Sequence, residues 1–412
     1  MNKDKKLIPE LRFPEFLNDE EWAEKLIGDI TISESSSMAL NKLELKPKGY
    51  PVYGADSIAG YIDDFQQEEK YISIVKDGSG VGRLNLCQSH SSILGTLVCL
   101  KSKNKKLYHL DWIYYLLNTV DFSVYVKGAG IPHIYFSDFK FEKISVPKPK
   151  EQQKIASCLS SLDEVISAHN HKLELLNDHK KGLMQNLFPQ EGEKVPKFRF
   201  MEFEKDGKWV EKSLIDTANK KVKWSFTGGP FGSNLKASDY TADGFRIIQL
   251  QNIGDGEFNN EYKIYTSKEK ADELLSCNIY AGEIIISKMG DPVGRACIIP
   301  DYLKKCVMAS DGIRLVVDES KYSKYFIYSL INSKRIREAI EKKATGSTRK
   351  RIGLDELKGI ELMIPKKIEE QKKIASCLSS LDELIKGQSE KLEQLKLHKK
   401  GLMQGLFPKI KG

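Results

Sequence analysis

Two stretches of the chain place apolar residues at alternating spacings of four and three positions. One stretch lies within residues 151–189 and the other within residues 370–408. This spacing is typical of a helix that buries one seam against another helix, so each stretch predicts a helix about 55 Å long. The predicted seam positions are Ile155, Leu159, Leu162, Ile166, His169, Leu173, Leu176, Lys180, Leu183 and Leu187 in the first helix, and Ile374, Leu378, Leu381, Ile385, Gln388, Leu392, Leu395, Lys399, Leu402 and Leu406 in the second.

The same two stretches are close copies of one another. Residues 151–189 and 370–408 are identical at 28 of 39 positions. A second repeated block links the two halves, because residues 9–25 and 196–212 share the pattern P-x-[LF]-R-F-x-x-F and a following Trp. The segments between these blocks differ much more, so the chain is predicted to be an internal duplication. The predicted parts are a first domain at 1–150 that includes 9–25, a helix at 151–189, a linker at 190–208, a second domain at 209–369 and a helix at 370–408.

Both domains contain short apolar or β-branched runs bounded by Gly, Asp and Pro, which are typical of strands. One helix is predicted after the strands of each domain, at about 110–119 and about 323–342. The motif V-G-R at 81–83 aligns with V-G-R at 293–295, so we expect two diverged copies of one α+β domain. The predicted strands are 50–53, 71–75 and 94–100 in the first domain, and 246–250, 283–287, 296–299 and 312–317 in the second.

Chain connectivity decides how the two long helices pair. The second domain must join the end of the first helix to the start of the second, and a parallel pair would separate these points by about 55 Å. A domain of this size spans only about 40 Å, so an antiparallel coiled coil with one domain at each end and a pseudo-two-fold axis is predicted. Residues 9–25 should dock at the end of the second helix, which makes the layout nearly circular. Polar seam residues are expected to lower stability while fixing the register, and they are His169, Gln388, Lys180 and Lys399.

Two similar domains at a fixed separation match the geometry of a protein that reads two half-sites along a DNA duplex. A separation of about 55 Å corresponds to roughly 16 base pairs, so the helices could span a spacer that is not contacted. Because the domains differ in sequence, the two half-sites are expected to differ as well.

Composition narrows the classes of protein to which the chain can belong. The chain has 412 residues, of which 40% are hydrophobic and 30% charged, and this is enough for several globular cores. A net charge of +8 permits a polyanionic partner without requiring one. No apolar run approaches the roughly 20 residues that cross a bilayer, and no signal peptide pattern opens the chain, so we expect a cytoplasmic protein. The seven cysteines contain no C-x-x-C pair and are expected to be reduced and mostly buried.

Several motifs carry a family resemblance that covers essentially the whole chain. They are the two P-x-[LF]-R-F-x-x-F blocks, the helix opening E-Q-x-K-I-A-x-x-L-x-x-L-D, the helix ending K-K-G-L-M-Q-x-L-F, and G-P-F-G-S at 229–233 with R-I-I-Q-L-Q-N-I at 246–253. Together they resemble the specificity subunit of type I restriction-modification enzymes.

The resemblance implies two target recognition domains, each reading one half of a split and asymmetric DNA site. It implies helices that act as a ruler and as a docking surface for two methyltransferase subunits, with two restriction-translocation subunits in the full complex. S-adenosylmethionine, ATP and Mg²⁺ are expected on those partner subunits, and no cofactor, metal or catalytic residue is expected on this chain.

The motifs that would indicate catalysis are missing from the sequence. It has no Pro-Pro pair for an amino-methyltransferase motif and no phosphate-binding loop of the form G-x-x-x-x-G-K-[ST]. The glycines at 78–82 are interpreted as a hairpin turn. Two alternatives remain. One is a stand-alone DNA-binding regulator with two domains, and the other is a catalytic nuclease. The regulator would bind DNA without an enzyme partner, and the nuclease would cut DNA with a divalent metal.

Candidate DNA contacts are chosen from glycine-rich loops that carry Lys, Arg and amide side chains. The basic run at 347–351 is the strongest candidate for phosphate contact, although a solvated charge run is the alternative. Arg83 and Arg295 occupy one aligned position, so they are expected to hold backbone or the hairpin rather than to specify a base. The predicted set is Tyr53, Asp56, Ser57, Lys76, Arg83, Lys127, His133 and Tyr135 in the first domain, and Ser233, Asn234, Lys236, Arg246, Gln249, Gln251, Asn252, Lys288, Arg295, Thr348, Arg349, Lys350 and Arg351 in the second.

The docking face for the methyltransferase is predicted on the outer side of the helices, where identity is kept outside the seam. Recent gene duplication is the alternative explanation for that identity. The middle of the helices argues against it, because residues 167–171 and 386–390 share nothing. The predicted residues are Ser157, Ser160, Ser161, Asp163 and Glu164, with Ser376, Ser379, Ser380, Asp382 and Glu383.

Overall fold

The computed structural model describes residues 7–128, 130–347 and 349–408. The chain divides into two compact units. The first contains Met1–His171 with Ser389–Gly412, and the second contains Lys172–Gln388. Each unit therefore combines one globular domain with the first part of one long helix and the last part of the other.

The two predicted long helices are present as Pro149–Leu187 and Ile368–Leu406, each with 39 residues. The first begins with a proline, which suits the first helical position because the N–H there has no partner within the helix. Every seam position predicted from the four-three spacing is buried or half-buried. The spacing thus identified the inward face of both helices correctly.

Within each unit, the start of one long helix runs antiparallel to the end of the other. In the first unit the amide of Leu11 donates to the carbonyl of Gly405 at 2.8 Å, while Arg12 binds Glu151 at the start of the first helix. Farther along the same helix, Asp163 meets Lys399. The N-terminal segment therefore docks at the end of the second helix, as predicted.

The second unit repeats this arrangement with its own residues. The amide of Phe198 donates to the carbonyl of Asn186 at 2.9 Å, and Arg199 binds Glu370 at the start of the second helix. Since both ion pairs join the repeated P-x-[LF]-R-F block to the repeated E-Q helix opening, one physical contact explains why these two blocks recur together.

The first domain consists of three small sheets and short helices. A four-stranded antiparallel sheet holds its centre, and the N-terminal segment contributes a strand that pairs with the strand just before the long helix. The strands in sheet order are Thr31–Ser35, Leu97–Ser102, Tyr71–Val75 and Leu84–Cys87, then Ile58–Ile62, Tyr50–Tyr53 and Ser92–Ile93, then Ala23–Leu26 and Lys143–Val146. The helices are Ile27–Ile30, Leu110–Leu117 and Phe136–Phe139, with 3-10 turns at Pro14–Phe16, Leu40–Lys42 and Phe122–Tyr125.

The second domain repeats the four-stranded sheet with the same order of strands and the same terminal strand pair. It differs in a five-stranded sheet, which takes the place of the three-stranded one. The strands in sheet order are Phe226–Gly228, Gly312–Leu315, Ile284–Ser287 and Ala296–Ile298, then Tyr240–Thr241, Ile264–Thr266, Phe245–Ile248, Lys305–Met308 and Asn278–Tyr280, then Val210–Ser213 and Glu361–Ile364. The helices are Lys268–Glu273, Lys324–Ile331, Lys334–Lys343 and Leu354–Lys358, with 3-10 turns at Met201–Phe203, Leu214–Thr217, Ala237–Asp239, Leu250–Asn252 and Leu275–Cys277.

The prediction of one helix over 323–342 is wrong, because the segment forms two helices that break at Asn332 and Ser333. The amide of Asn332 exchanges hydrogen bonds with the backbone of Ala296, at 3.1 Å to its N–H and 3.0 Å to its carbonyl. Ser333 is extended and begins the next helix. Polar side chains that bond to backbone compete with helix continuation, and here a neighbouring strand supplies that backbone.

A repeated tryptophan lies in the core of each unit. The ring of Trp22 packs edge-on at 6.3 Å against Phe407, which directly follows the second long helix, and the ring of Trp209 packs at 5.8 Å against Phe326 of the helix Lys324–Ile331. All seven cysteines lie within the described residues and are unpaired; five are buried. Among the helices of the described ranges, none is both long and apolar enough to cross a lipid bilayer.

Candidate nucleic-acid interface

A cleft of about 680 Å³ opens on the second domain among loops that the sequence predicted to contact DNA. The loop at 229–235 can approach the loop at 309–311 because residue 229 is a glycine, and a Cβ there would lie 1.8 Å from the carbonyl oxygen of Ala309. On one wall, the amide of Gln249 donates to the hydroxyl of Tyr240 at 3.2 Å. The lining residues are Pro230, Phe231, Gly232, Leu235, Tyr240, Gln249, Leu250, Gln251, Gly290, Asp291, Arg295, Ala309, Ser310, Asp311 and Arg349.

The loop that Thr345 and Arg351 close beside this cleft, here called the basic loop, has a structural counterpart in the first domain. Thr345 and Arg351 exchange backbone hydrogen bonds at 2.9 and 2.8 Å, and Lys127 and His133 do the same at 2.9 and 2.8 Å. Both loops also bridge to the turn after an aligned strand, through Met289 in one domain and Asp77 in the other. The two domains thus present equivalent loops that carry different side chains.

The side chains of the basic loop differ in their partners. Lys350 forms an ion pair with Glu341 at 2.5 Å. Arg349 and Arg351 are exposed, and no ion pair is recorded for either among the described residues. Thr348 lies outside the described residues. The uncompensated positive charge of the loop is therefore that of the two arginines.

Lys288 lies next to this positive charge. Burial lowers the pKa of Lys288, the nearby Arg351 lowers it further, and Asp311 raises it. The backbone carbonyl of Lys288 accepts from the amide of Ile352 at 2.9 Å, which ties its strand end to the basic loop.

Two residues predicted to contact DNA are instead part of the interior. Arg246 is 4% exposed, and its guanidinium donates to the carbonyl of Tyr262. Asn252 is fully buried, and its amide donates to the carbonyls of Asn259 at 2.8 Å and Tyr262 at 2.9 Å. Their polarity is needed to satisfy backbone groups in a loop, so both residues are removed from the proposed DNA contacts.

The remaining candidates of the second domain are accessible. Gln251 is exposed at the rim of the cleft. Ser233, Asn234 and Lys236 are exposed on the loop that follows G-P-F-G. The hydroxyl of Ser233 and the amide oxygen of Asn234 lie 3.4 Å apart, which is a contact between neighbours and leaves both side chains at the surface.

In the first domain, the predicted cations are paired with carboxylates. Arg83 forms an exposed ion pair with Asp56. Lys76 lies 3.8 Å from Asp77, and Lys127 lies 3.0 Å from Asp138. The positive charge of the three cations is therefore compensated locally, unlike that of the arginines in the second domain.

The other first-domain candidates form a mixed aromatic and polar surface. The rings of His133 and Tyr135 lie 5.2 Å apart, and Tyr135 is exposed. Ser57 is exposed, and Tyr53 is half-buried with its hydroxyl accepting from the amide of Gln88 at 3.4 Å. Burial raises the pKa of Tyr53, so this hydroxyl stays protonated near neutral pH.

The predicted docking residues of the helices divide into two groups. Asp163 and Asp382 are used within their own units, because each binds a tyrosine hydroxyl and a lysine of the other long helix. Their repetition therefore has an internal explanation. Ser160 and Ser379 each donate to the carbonyl three residues earlier, at 3.2 Å. The remaining positions are exposed and repeated, and they are Ser157, Ser161, Glu164, Ser376, Ser380 and Glu383.

Several residues of these sites were not predicted as functional. Asp291 and Asp311 line the cleft but were not predicted, because the candidates were chosen for Lys, Arg and amide side chains. Phe231 is 83% exposed at the rim of the cleft. Its place inside G-P-F-G-S could have indicated an exposed position, since a bulky aromatic residue between glycines in a polar stretch is rarely part of the hydrophobic core.

The duplicated domain is that of a DNA-specificity protein. The model of the family described as the type I restriction modification DNA specificity domain matches residues 19–178 and again residues 236–397. These two matches together cover more than half of the chain, and the chain therefore belongs to this family.

Curated relatives agree with this family, and a solved structure shares the fold. The type I restriction enzyme MjaVIII specificity subunit of Methanocaldococcus jannaschii is 27% identical over 347 residues, which cover 82% of this chain and 78% of the relative. The putative type I restriction enzyme MjaX specificity subunit of the same organism is 27% identical over 423 residues, covering 94% and 93%. A crystal structure of a type I restriction-modification S subunit from M. genitalium has a TM-score of 0.66 at 19% identity, covering 98% of this chain and all of that one. This last likeness concerns the fold alone.

Proposed function

We propose that this chain is the sequence-specificity subunit of a type I restriction-modification complex and that each of its two domains reads one half of a bipartite, asymmetric DNA site. The observation that carries the proposal is the pair of equivalent loops closed by the backbone pairs Lys127–His133 and Thr345–Arg351, whose described residues carry different side chains. Two copies of one reader with different contact residues are what an asymmetric, split site requires.

The parts of the chain take the following roles in the proposal. The first target recognition domain is 1–150 and the second is 209–369, while 151–189 and 370–408 are the spacer helices and 190–208 is a linker. The two long helices set the distance between the half-sites. This assignment is supported by the terminal strand pairs, because each one joins the segment before a domain to the strand just before a long helix.

The partners follow from the family. Two methyltransferase subunits dock on the exposed, repeated face of the helices, and two restriction-translocation subunits complete the assembly. S-adenosylmethionine, ATP and Mg²⁺ bind to those subunits, and this chain supplies no catalytic residue. The exposed serines Ser157 and Ser376 support the docking face, because neither has a role in the internal seam.

The test is methylation-sensitive long-read sequencing of DNA from cells that express this chain with the methyltransferase subunit of its own system. Cells with the methyltransferase alone are the control. The expected result is a new split motif with N6-methyladenine in both halves. A soluble complex that leaves every adenine unmodified would contradict the proposal and favour a stand-alone bipartite DNA-binding regulator.

A further inference from the structure

The cleft of the second domain combines charges in a way that a phosphate-binding surface does not. Arg295 and Arg349 line it together with two carboxylates, Asp291 and Asp311. Carboxylates repel phosphate, so a surface that only follows the DNA backbone carries cations and neutral donors rather than carboxylates. The edges of bases offer both donors and acceptors, and a mixed lining suits them.

Arg295 is fixed in place by the hairpin that carries it. Its carbonyl accepts from the amide of Ser287 at 2.7 Å, and the amide of Gly294 donates to the carbonyl of Ser287 at 3.0 Å. The Nε atom of Arg295 is buried without a hydrogen-bond partner. No acceptor of the described protein residues therefore holds the guanidinium at Nε.

The aligned arginine of the first domain, Arg83, is paired with protein groups, unlike Arg295. Arg83 binds the carboxylate of Asp56 and donates to the carbonyl of Ala55 at 3.3 Å. No such ion pair is recorded for Arg295 among the described residues, and Asp291, four residues before it, lies beyond ion-pair distance. The same sequence position is thus neutralised in one domain and available in the other. A role of Arg295 in base contact departs from the expectation that the two aligned arginines only hold backbone or the hairpin.

The two carboxylates of the cleft also differ. Asp311 acts electrostatically on Lys288, whose pKa it raises, and its Oδ1 lies 3.3 Å from the hydroxyl of Ser310. Asp291 is exposed, and neither an ion pair nor a side-chain hydrogen bond is recorded for it among the described residues. Asp291 is therefore the acceptor that remains open.

We infer that this cleft reads one G·C base pair in the second half-site, with Arg295 donating to guanine and Asp291 accepting from the amino group of cytosine. Guanine presents two acceptors, O6 and N7, which a guanidinium binds in a bidentate manner, and cytosine N4 is a donor that a carboxylate accepts. The inference rests on the proposed function, since it assigns a base pair within a half-site that the domain must first bind.

The experiment uses the complex of this chain with its methyltransferase and duplexes that carry the methylated motif found above. Each base pair of the motif is replaced in turn, and the dissociation constant is measured for wild type, Arg295→Gln, Asp291→Asn and the matched control Lys321→Gln, which removes an exposed cation of the same domain that pairs with Asp318. The expected result for wild type is a loss of about 5- to 150-fold for changes at one G·C pair of the second half-site. Arg295→Gln and Asp291→Asn should abolish that discrimination at this pair only, while Lys321→Gln should keep the full pattern.

Discrimination at the other base pairs of the second half-site reports folding of the substituted domain within the same data. A variant that weakens binding equally at every position and reduces its salt dependence would overturn the inference, because Arg295 would then be a phosphate contact. Unchanged discrimination by both variants would also overturn it, while leaving the proposed function intact. Absence of any wild-type motif would remove the proposed function and the inference together.

Discussion

Nζ of Lys399 lies 2.5 Å from Oδ1 of Asp163, so a carboxylate of one long helix binds a lysine in the seam of the other. The second oxygen of Asp163 accepts from the hydroxyl of Tyr115 at 2.8 Å. The second unit repeats the arrangement, where Asp382 binds Lys180 at 2.6 Å and the hydroxyl of Tyr325. Each seam lysine therefore has a defined partner, and a slip of the helices would leave four charged groups unpaired.

Contrary to the expectation for a polar seam residue, we predict that Lys180→Met lowers the free energy of unfolding by about 1–2 kcal/mol. The lysine pairs with Asp382, and its removal leaves a partly buried carboxylate with only a tyrosine partner. Lys399→Met should have the same effect in the other unit. Urea unfolding measures both, and the exposed Lys181→Met should change stability by less than about 0.5 kcal/mol. Wild-type stability in Lys180→Met would show that its pairing with Asp382 does not stabilise the second unit.

The arginine that joins each repeated segment to a helix start should contribute more to the free energy of unfolding than the seam lysines do. The side chains of Arg12 and Glu151 are 4% and 2% exposed, and both bonds of the pair are 2.8 Å long. Removing one partner leaves a buried charge uncompensated, so Arg12→Ala should cost about 3–5 kcal/mol.

The matched control is Lys154→Ala, which breaks the exposed pair with Glu15 at 3.0 Å and should cost less than about 1 kcal/mol. Arg199→Ala should resemble Arg12→Ala, because its partner Glu370 is equally buried. Equal effects of Arg12→Ala and Lys154→Ala would refute the claim that burial strengthens this contact.

Thiol reactivity should separate the two cysteines of the long helices from the rest. Burial raises the pKa of Cys99, Cys297 and Cys306 to about 12, so at about pH 8 only one thiol in about ten thousand is ionised at each of these sites. The stability that these protonated thiols contribute is present below about pH 8.5 and is lost as the pH rises toward 12. Cys158 and Cys377 are half-buried and should react first with iodoacetamide, as mass spectrometry of the native protein can show. Early labelling of Cys297 would contradict the prediction, and labelling of all seven in denaturant is the control.

The architecture was predictable because its signals are periodic and repeated. The seam spacing defined the inward helix face, and strands such as Tyr50–Tyr53 and Tyr71–Val75 appear at the predicted residues. The repetition of residues 9–25 at 196–212 led to the correct docking of the N-terminal segment. These features depend on local pattern and chain connectivity, which the sequence contains.

The contact residues were less predictable, because a polar residue in a loop can face the protein as well as solvent. Arg246 and Asn252 satisfy buried carbonyls, and no local pattern distinguishes them from the exposed Gln251. The pairing of Arg83 with Asp56 likewise joins positions far apart in the chain. Which cations remain unpaired is decided by tertiary contacts, and so is the break in the helix at Asn332.

The basic loop should control the salt dependence of DNA binding. Each phosphate that a cation neutralises contributes about 0.9 to the slope of log affinity against log salt. Arg349→Gln and Arg351→Gln should each reduce this slope by about 0.9 in a fluorescence anisotropy titration of the complex on its motif. Lys350→Gln should reduce it less, since Lys350 already pairs with Glu341. Lys127→Gln, in the equivalent loop of the first domain, is the matched control, because its pairing with Asp138 predicts a similarly small effect. If both arginine variants weakened binding with an unchanged slope, the loop would act by shape or base contact, and phosphate neutralisation would have to come from other cations of the second domain.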